Sequence, residues 1–102
     1  MVFSVQPQSA TVLALAGELS FATATRAREL LQQLGADTQV LDGRAITRAD
    51  SAGLAVLVEC LARAQSVGRT LRCQNLPAQI MALAGLSELS ELLLQGLPPQ
   101  VR

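Results

Sequence analysis

The chain has 102 residues, half of them hydrophobic and only 16% charged, and its eight arginines balance eight acidic residues to a formal net charge of zero. That length makes one domain with room for a genuine core, and the charged fraction falls well below the roughly 25% of ordinary domains. Histidine, lysine, tryptophan and tyrosine are absent, which removes imidazole bases, Schiff-base lysines, histidine-ligated metals and most of the aromatic platform on which single-stranded nucleic acid stacks. The arginines are scattered and form no basic stripe, so nucleic acid is not an expected partner.

In chain order, residues 11–16 (TVLALA) form an apolar run that reads as a strand covered on both faces, with residues 3–5 as a short strand beside it. Gly17 ends that run, and Ser20 offers the N-cap of a helix reaching about Leu34, with Ala27, Leu30, Leu31 and Leu34 as its apolar stripe. Gly35 closes it. Phe21 reads as a core or helix-opening residue, although an aromatic at a domain edge can also anchor an interface. Residues 39–42 make the next strand, and 43–49 a connection.

Asp50-Ser51 then opens the clearest helix, over 52–67, with Leu54, Leu57, Val58, Leu61 and Ala64 on one face and Glu59, Arg63 and Ser66 on the other. Gly68 stops it, and residues 70–73 give a further core strand. Pro77 starts a helix to Ala84 with Gly85 as C-cap, a last short helix follows from Ser87, and residues 95–102 read as a loose tail. This order implies right-handed crossovers and a mixed, mostly parallel sheet covered by helices.

Little of this sequence can perform chemistry. Without lysine there is no P-loop, and no GxGxxG occurs. Ser20 and Ser51 have no histidine or lysine to take a proton. The acids Asp37, Asp42 and Asp50 lack the lysine that a phospho-acceptor aspartate needs. Cys60 and Cys73 have neither CxxC spacing nor a nearby histidine and read as buried reduced thiols. No catalytic residue, cofactor, metal or small-molecule substrate is expected. The opening residues have no export pattern, and the apolar runs fall far short of the ~20 residues that span a bilayer, so a cytoplasmic location without membrane insertion is expected.

One segment stands apart: A-D-S-A-G-L-A-V-L at 49–57, between a strand and an amphipathic helix. Ser51 is read as the cap, its oxygen accepting from the first-turn amides, which with the helix dipole also favour an anion there. Gly53 allows close approach of another backbone. Glu59 and Arg63 form an exposed pair one turn apart, and Arg48 stands beside Asp50.

Four blocks occur in order: L-A-G-E-L at 15–19; D-S-A-G-L at 50–54, preceded by V-L-D-G-R-A-I-T-R-A and followed by A-V-L-V-E-C-L-A-R-A; T-L-R-C at 70–73; and I-M-A-L-A-G-L at 80–86. Together they resemble the signature of STAS domains over nearly the whole chain. The resemblance implies one α/β domain, a mixed four-stranded sheet covered by about four helices, that acts by binding rather than catalysis. L-S-F-A-T-A at 19–24 and the block at 53–64 look most like the STAS subunits of bacterial Mla-type ABC transporters for phospholipids. That branch implies an ATPase subunit as partner, contacted at Ser51, and a location peripheral to the inner membrane through the complex. The contact surface is expected on the turn 46–51 and the exposed side of the following helix, with Thr47, Arg48, Asp50, Ser51, Ala52, Gly53, Glu59 and Arg63 as its residues. The other branch, the anti-sigma-factor antagonists, implies phosphorylation of Ser51 by a partner kinase; its motif commonly carries Ser or Thr where this chain has Ala52.

Overall fold

The computed structural model describes residues 2–96. Its elements are β1 (Phe3–Pro7), β2 (Val12–Leu19), a 3-10 turn (Phe21–Thr23), α1 (Ala24–Gln32), β3 (Val40–Ala49), α2 (Ser51–Ser66), β4 (Arg72–Gln74), α3 (Ala78–Leu86) and α4 (Ser90–Gln95). The four strands lie in the order β1-β2-β3-β4. β1 pairs antiparallel with β2, and the β2–β3 and β3–β4 pairs are parallel. The α/β architecture is therefore the mixed, mostly parallel sheet that the element order implies. The loose tail expected over 95–102 lies outside the described residues from 97 onward; Gln95 itself ends α4.

Strand parity decides where the core lies. Leu13, Leu41 and Cys73 are in register across β2, β3 and β4 and, with Leu15 and Phe3, face the helices. Ala27 and Leu31 of α1, Leu54, Val56, Leu57, Cys60, Leu61 and Ala64 of α2, Ile80 and Ala84 of α3 and Leu93 of α4 close the same cluster. The opposite parity carries Val12, Ala14 and Ala16, which are only half-buried. β2 is thus covered on one face, not two; small side chains on the open face gave the run its uniformly apolar look. α2 buries more of its circumference than a single stripe because α1, α3 and α4 all pack against it.

β2 does not stop at Gly17. The strand passes through that residue at φ +89 and continues to Leu19. A Cβ there would lie 1.9 Å from the Val2 carbonyl oxygen, so both the backbone angle and the space exclude a side chain. The expected connection over 43–49 is the second half of β3. Register slips between Ala14 and Ala16 and between Gly17 and Glu18 let the ten residues of β3 run beside the eight of β2. With one extra residue at each slip, Gly43, Ile46 and Ala49 are buried at a spacing of three. At the other boundaries, α1 is preceded by a 3-10 turn and ends at Gln32, and Gly85 lies inside α3 rather than capping it.

Candidate functional site

The lengthened β3 brings the chain to the edge of the sheet at Ala49, and a single residue, Asp50, turns it into α2. Asp50 has extended backbone and is the N-cap: its Oδ1 accepts from the amides of Ala52 (2.9 Å) and Gly53 (3.1 Å). Its Oδ2 accepts from the Phe21 amide at 3.1 Å, tying the β2–α1 turn to the start of α2. The cap expected at Ser51 is therefore supplied one residue earlier. A carboxylate with two oxygens can serve two segments, which one hydroxyl cannot. Ser51 becomes the first helical residue, and it is exposed.

The Phe21 amide is the strongest influence holding the Asp50 carboxyl below its ordinary value of 3.8; it outweighs desolvation together with the Gly53 and Ala52 amides and the Arg48 charge. Asp42 is also held low. Burial opposes its charge, but the Arg44 amide at 3.0 Å, Asn75 Nδ2 at 3.2 Å, the Gln8 side chain and the Arg44 charge prevail. Asp42 lies far down β3 and pins the first bulge rather than joining the turn.

The neighbouring turn is braced independently. Ser20 Oγ accepts from the Ala22 amide and donates to the Glu18 carboxylate, while Thr23 Oγ1 accepts from the Ser20 amide and donates to the Glu18 carbonyl. That bracing presents Phe21 to solvent at 84% exposure, which corrects its reading as a core residue. Gly53 is buried where α2 crosses the end of β2, and a Cβ there would stand 2.1 Å from the Leu19 carbonyl oxygen. Ala52 is half-buried, while Thr47 and Arg48 are exposed on β3. Ile46 and Ala49 are buried, so within 46–49 only Thr47 and Arg48 present their side chains to solvent.

Glu59 and Arg63 are a pair, as their spacing implies, at 3.5 Å. Glu59 also accepts from Arg28 Nε at 3.0 and 3.1 Å, which links α1 to α2. Both ion pairs are about 40% exposed, so Glu59→Gln is expected to lower stability by about 0.5 kcal/mol or less, read from urea unfolding midpoints. Glu59 thus ties α2 to α1, with Arg63 one turn further along α2.

An open groove of about 490 Å³ borders Ser51, lined by Leu54, Ala55, Val58 and Glu59 of α2 and by Ser87 and Leu89 between α3 and α4. Leu86, just before it, is 85% exposed. This apolar flank is not visible in the D-S-A-G-L segment, because Ser87 and Leu89 come from an element more than twenty residues further on. Phe21 had a signal: an aromatic directly after a capping serine in a chain with two aromatics.

The cysteines are remote from this turn. Both are buried and free, and burial pushes their thiols up to about 11 for Cys60 and about 12 for Cys73. Neither is a nucleophile at neutral pH. Among the described residues no three Cys, Asp or Glu side chains converge as metal ligands would, and no helix is long and apolar enough to cross a membrane.

A mixed four-stranded sheet under four helices, with an exposed hydroxyl where β3 turns into α2, is the arrangement of a STAS domain. Residues 3–98 match the family model described as "Mlab, STAS domain", and the chain belongs to that family. No curated protein sequence matches it. The crystal structure of a sulfate transporter family protein from Wolinella succinogenes is similar at a TM-score of 0.62 and 20% identity, over 88% of this chain and 75% of that one. The structure of the anti-sigma factor antagonist SpoIIAA in its unphosphorylated form is similar at 0.61 and 11% identity, over 85% and 82%. At these identities the likeness to both is one of fold.

Proposed function

We propose that this chain is the cytoplasmic STAS subunit of an Mla-type phospholipid-trafficking ABC transporter, docking on its ATPase through the start of α2 and performing no bond-making itself. The observation that carries this reading is the family match over residues 3–98, whose description names Mlab. The geometry of the turn supports docking there. Ser51 is exposed between Phe21, whose backbone amide is tied to Asp50, and the groove lined by Leu54 and Leu89, so a partner gains apolar contacts around a central polar group. Asp50, Ala52 and Gly53 shape this surface from beneath, and Thr47 and Arg48 lie at its rim. Glu59 borders the groove, with Arg63 behind it.

The test is co-purification with the ATPase subunit of an Mla-type transporter from the same cell. Ser51→Asp places a carboxylate at a helix N-terminus, where the isolated domain keeps or gains stability. Against a closely packed partner the same carboxylate is desolvated, and affinity is expected to fall about tenfold or more. Phe21→Ser should weaken capture without lowering the melting temperature. Undiminished capture of the ATPase by both variants would remove this surface from the complex.

A second reading is an anti-sigma-factor antagonist switched by phosphorylation of Ser51. It is favoured by the fold likeness to SpoIIAA and by a hydroxyl exposed at a helix N-terminus, where a phosphoryl group is stabilised. Capture of a kinase-like protein in place of the ATPase, with phosphate found on Ser51 by mass spectrometry, would establish it.

A further inference from the structure

The other end of the domain carries a second constructed surface. Arg69 follows α2 and donates from Nη2 to the carbonyls of Gly35 (2.9 Å) and Thr38 (2.8 Å), which fixes its guanidinium beside the loop before β3. Two clefts share this side chain. One, of about 440 Å³, is polar and is lined by Arg69, Thr70, Arg72 and Asp37 among others. The second, of about 190 Å³, is lined chiefly by Leu31, Leu34, Val67 and Leu71, with Arg63 and Arg69 at its margin. Val67 stands 69% exposed at its edge. β3 separates this end from Ser51 by ten residues, about 30 Å of strand.

Charge and shape together narrow the occupant. The residues lining the polar cleft include two arginines and one aspartate, a surplus that one further negative charge neutralises. A phosphate dianion exceeds that surplus, whereas a single carboxylate matches it. The smaller cleft has an apolar floor and room for an aliphatic side chain. We infer that this end of the domain binds a peptide segment of a protein partner in which a single carboxylate adjoins an aliphatic side chain, the carboxylate against Arg69 and Arg72 and the aliphatic group beside Val67. The surface is independent of the one at Ser51, so one partner or two could engage both ends at once.

The probe is the acetylated, amidated peptide Gly-Ser-Leu-Glu-Leu-Gly, titrated into the full chain and followed by amide chemical shifts. Saturable shifts confined to residues 31–39 and 60–72 are expected. The counterpart with Gln in place of Glu should bind about tenfold or more weakly. Arg72→Glu and Val67→Asp change exposed side chains and leave the Arg69 brace intact, so both should fold and lose the shifts. Shifts at Ser51 instead, equal binding of the Gln peptide, or retention of binding in Arg72→Glu would overturn the inference. So would inorganic phosphate binding as tightly as the peptide, or phosphatidylglycerol vesicles reproducing its shifts, since each assigns the clefts to another class of ligand.

Discussion

Gly53→Ala is expected to lower the melting temperature by about 12 °C or more, the equivalent of about 3 kcal/mol in a domain of this size. The added methyl would stand 2.1 Å from the Leu19 carbonyl oxygen and 2.9 Å from its carbon, both backbone atoms that no rotamer change can move aside. α2 must then lift from the end of β2, which loosens Leu54 and Leu57 in the core and stretches the bridge from Asp50 to Phe21. A second glycine calibrates the result. Gly85 lies inside α3, where a Cβ meets only the Ser90 hydroxyl at 3.8 Å, so Gly85→Ala should raise stability by about 0.5–1 kcal/mol through helix propensity. Thermal unfolding by circular dichroism reads both. A Gly53→Ala melting temperature within about 3 °C of the parent would mean that the crossing of α2 over β2 is not sterically limited.

The same crossing shows what could be read from residue order. α2 announces itself because sixteen residues repeat their apolar positions at helical spacing between a cap and a glycine. The strand before it does not. Over Gly43–Ala49 the buried positions recur every third residue, a period that belongs neither to a flat strand nor to a helix, and only the two slips against β2 explain it. Gly17 misleads for a related reason: a glycine in a strand marks a bulge as readily as an end, and which one holds depends on the Val2 carbonyl opposite.

The candidate site divides in the same way. That D-S-A-G-L lies at a strand-to-helix turn is a local property and legible. That Asp50 rather than Ser51 is the cap depends on Phe21 lying 29 residues upstream with an amide to satisfy. Placing the aspartate at the cap frees the serine to face outward. Likewise the groove beside Ser51 exists only because the α3–α4 corner packs against α2, a long-range contact that no spacing encodes.

Asp50 therefore has two separable roles, and two substitutions divide them. Asp50→Ala removes every acceptor from the turn, leaving the amides of Ala52, Gly53 and Phe21 without their partner, and should lower stability by about 2 kcal/mol. Asp50→Asn keeps an oxygen for the helix amides, since asparagine caps as well as aspartate, but turns an amide donor toward the Phe21 N–H. Its loss of about 1 kcal/mol reports the bridge alone. Acid supplies the internal check. The folded carboxyl titrates below 3.8, so its contribution is fully present above that pH and disappears as pH falls through the lowered value. Parent and Asp50→Asn should differ at pH 6 and converge only once pH has fallen below the lowered value of Asp50, whereas Asp42, also held low, keeps its own acid dependence in both proteins. A gap that persists unchanged into strong acid would show that the charge on Asp50 contributes nothing to the turn.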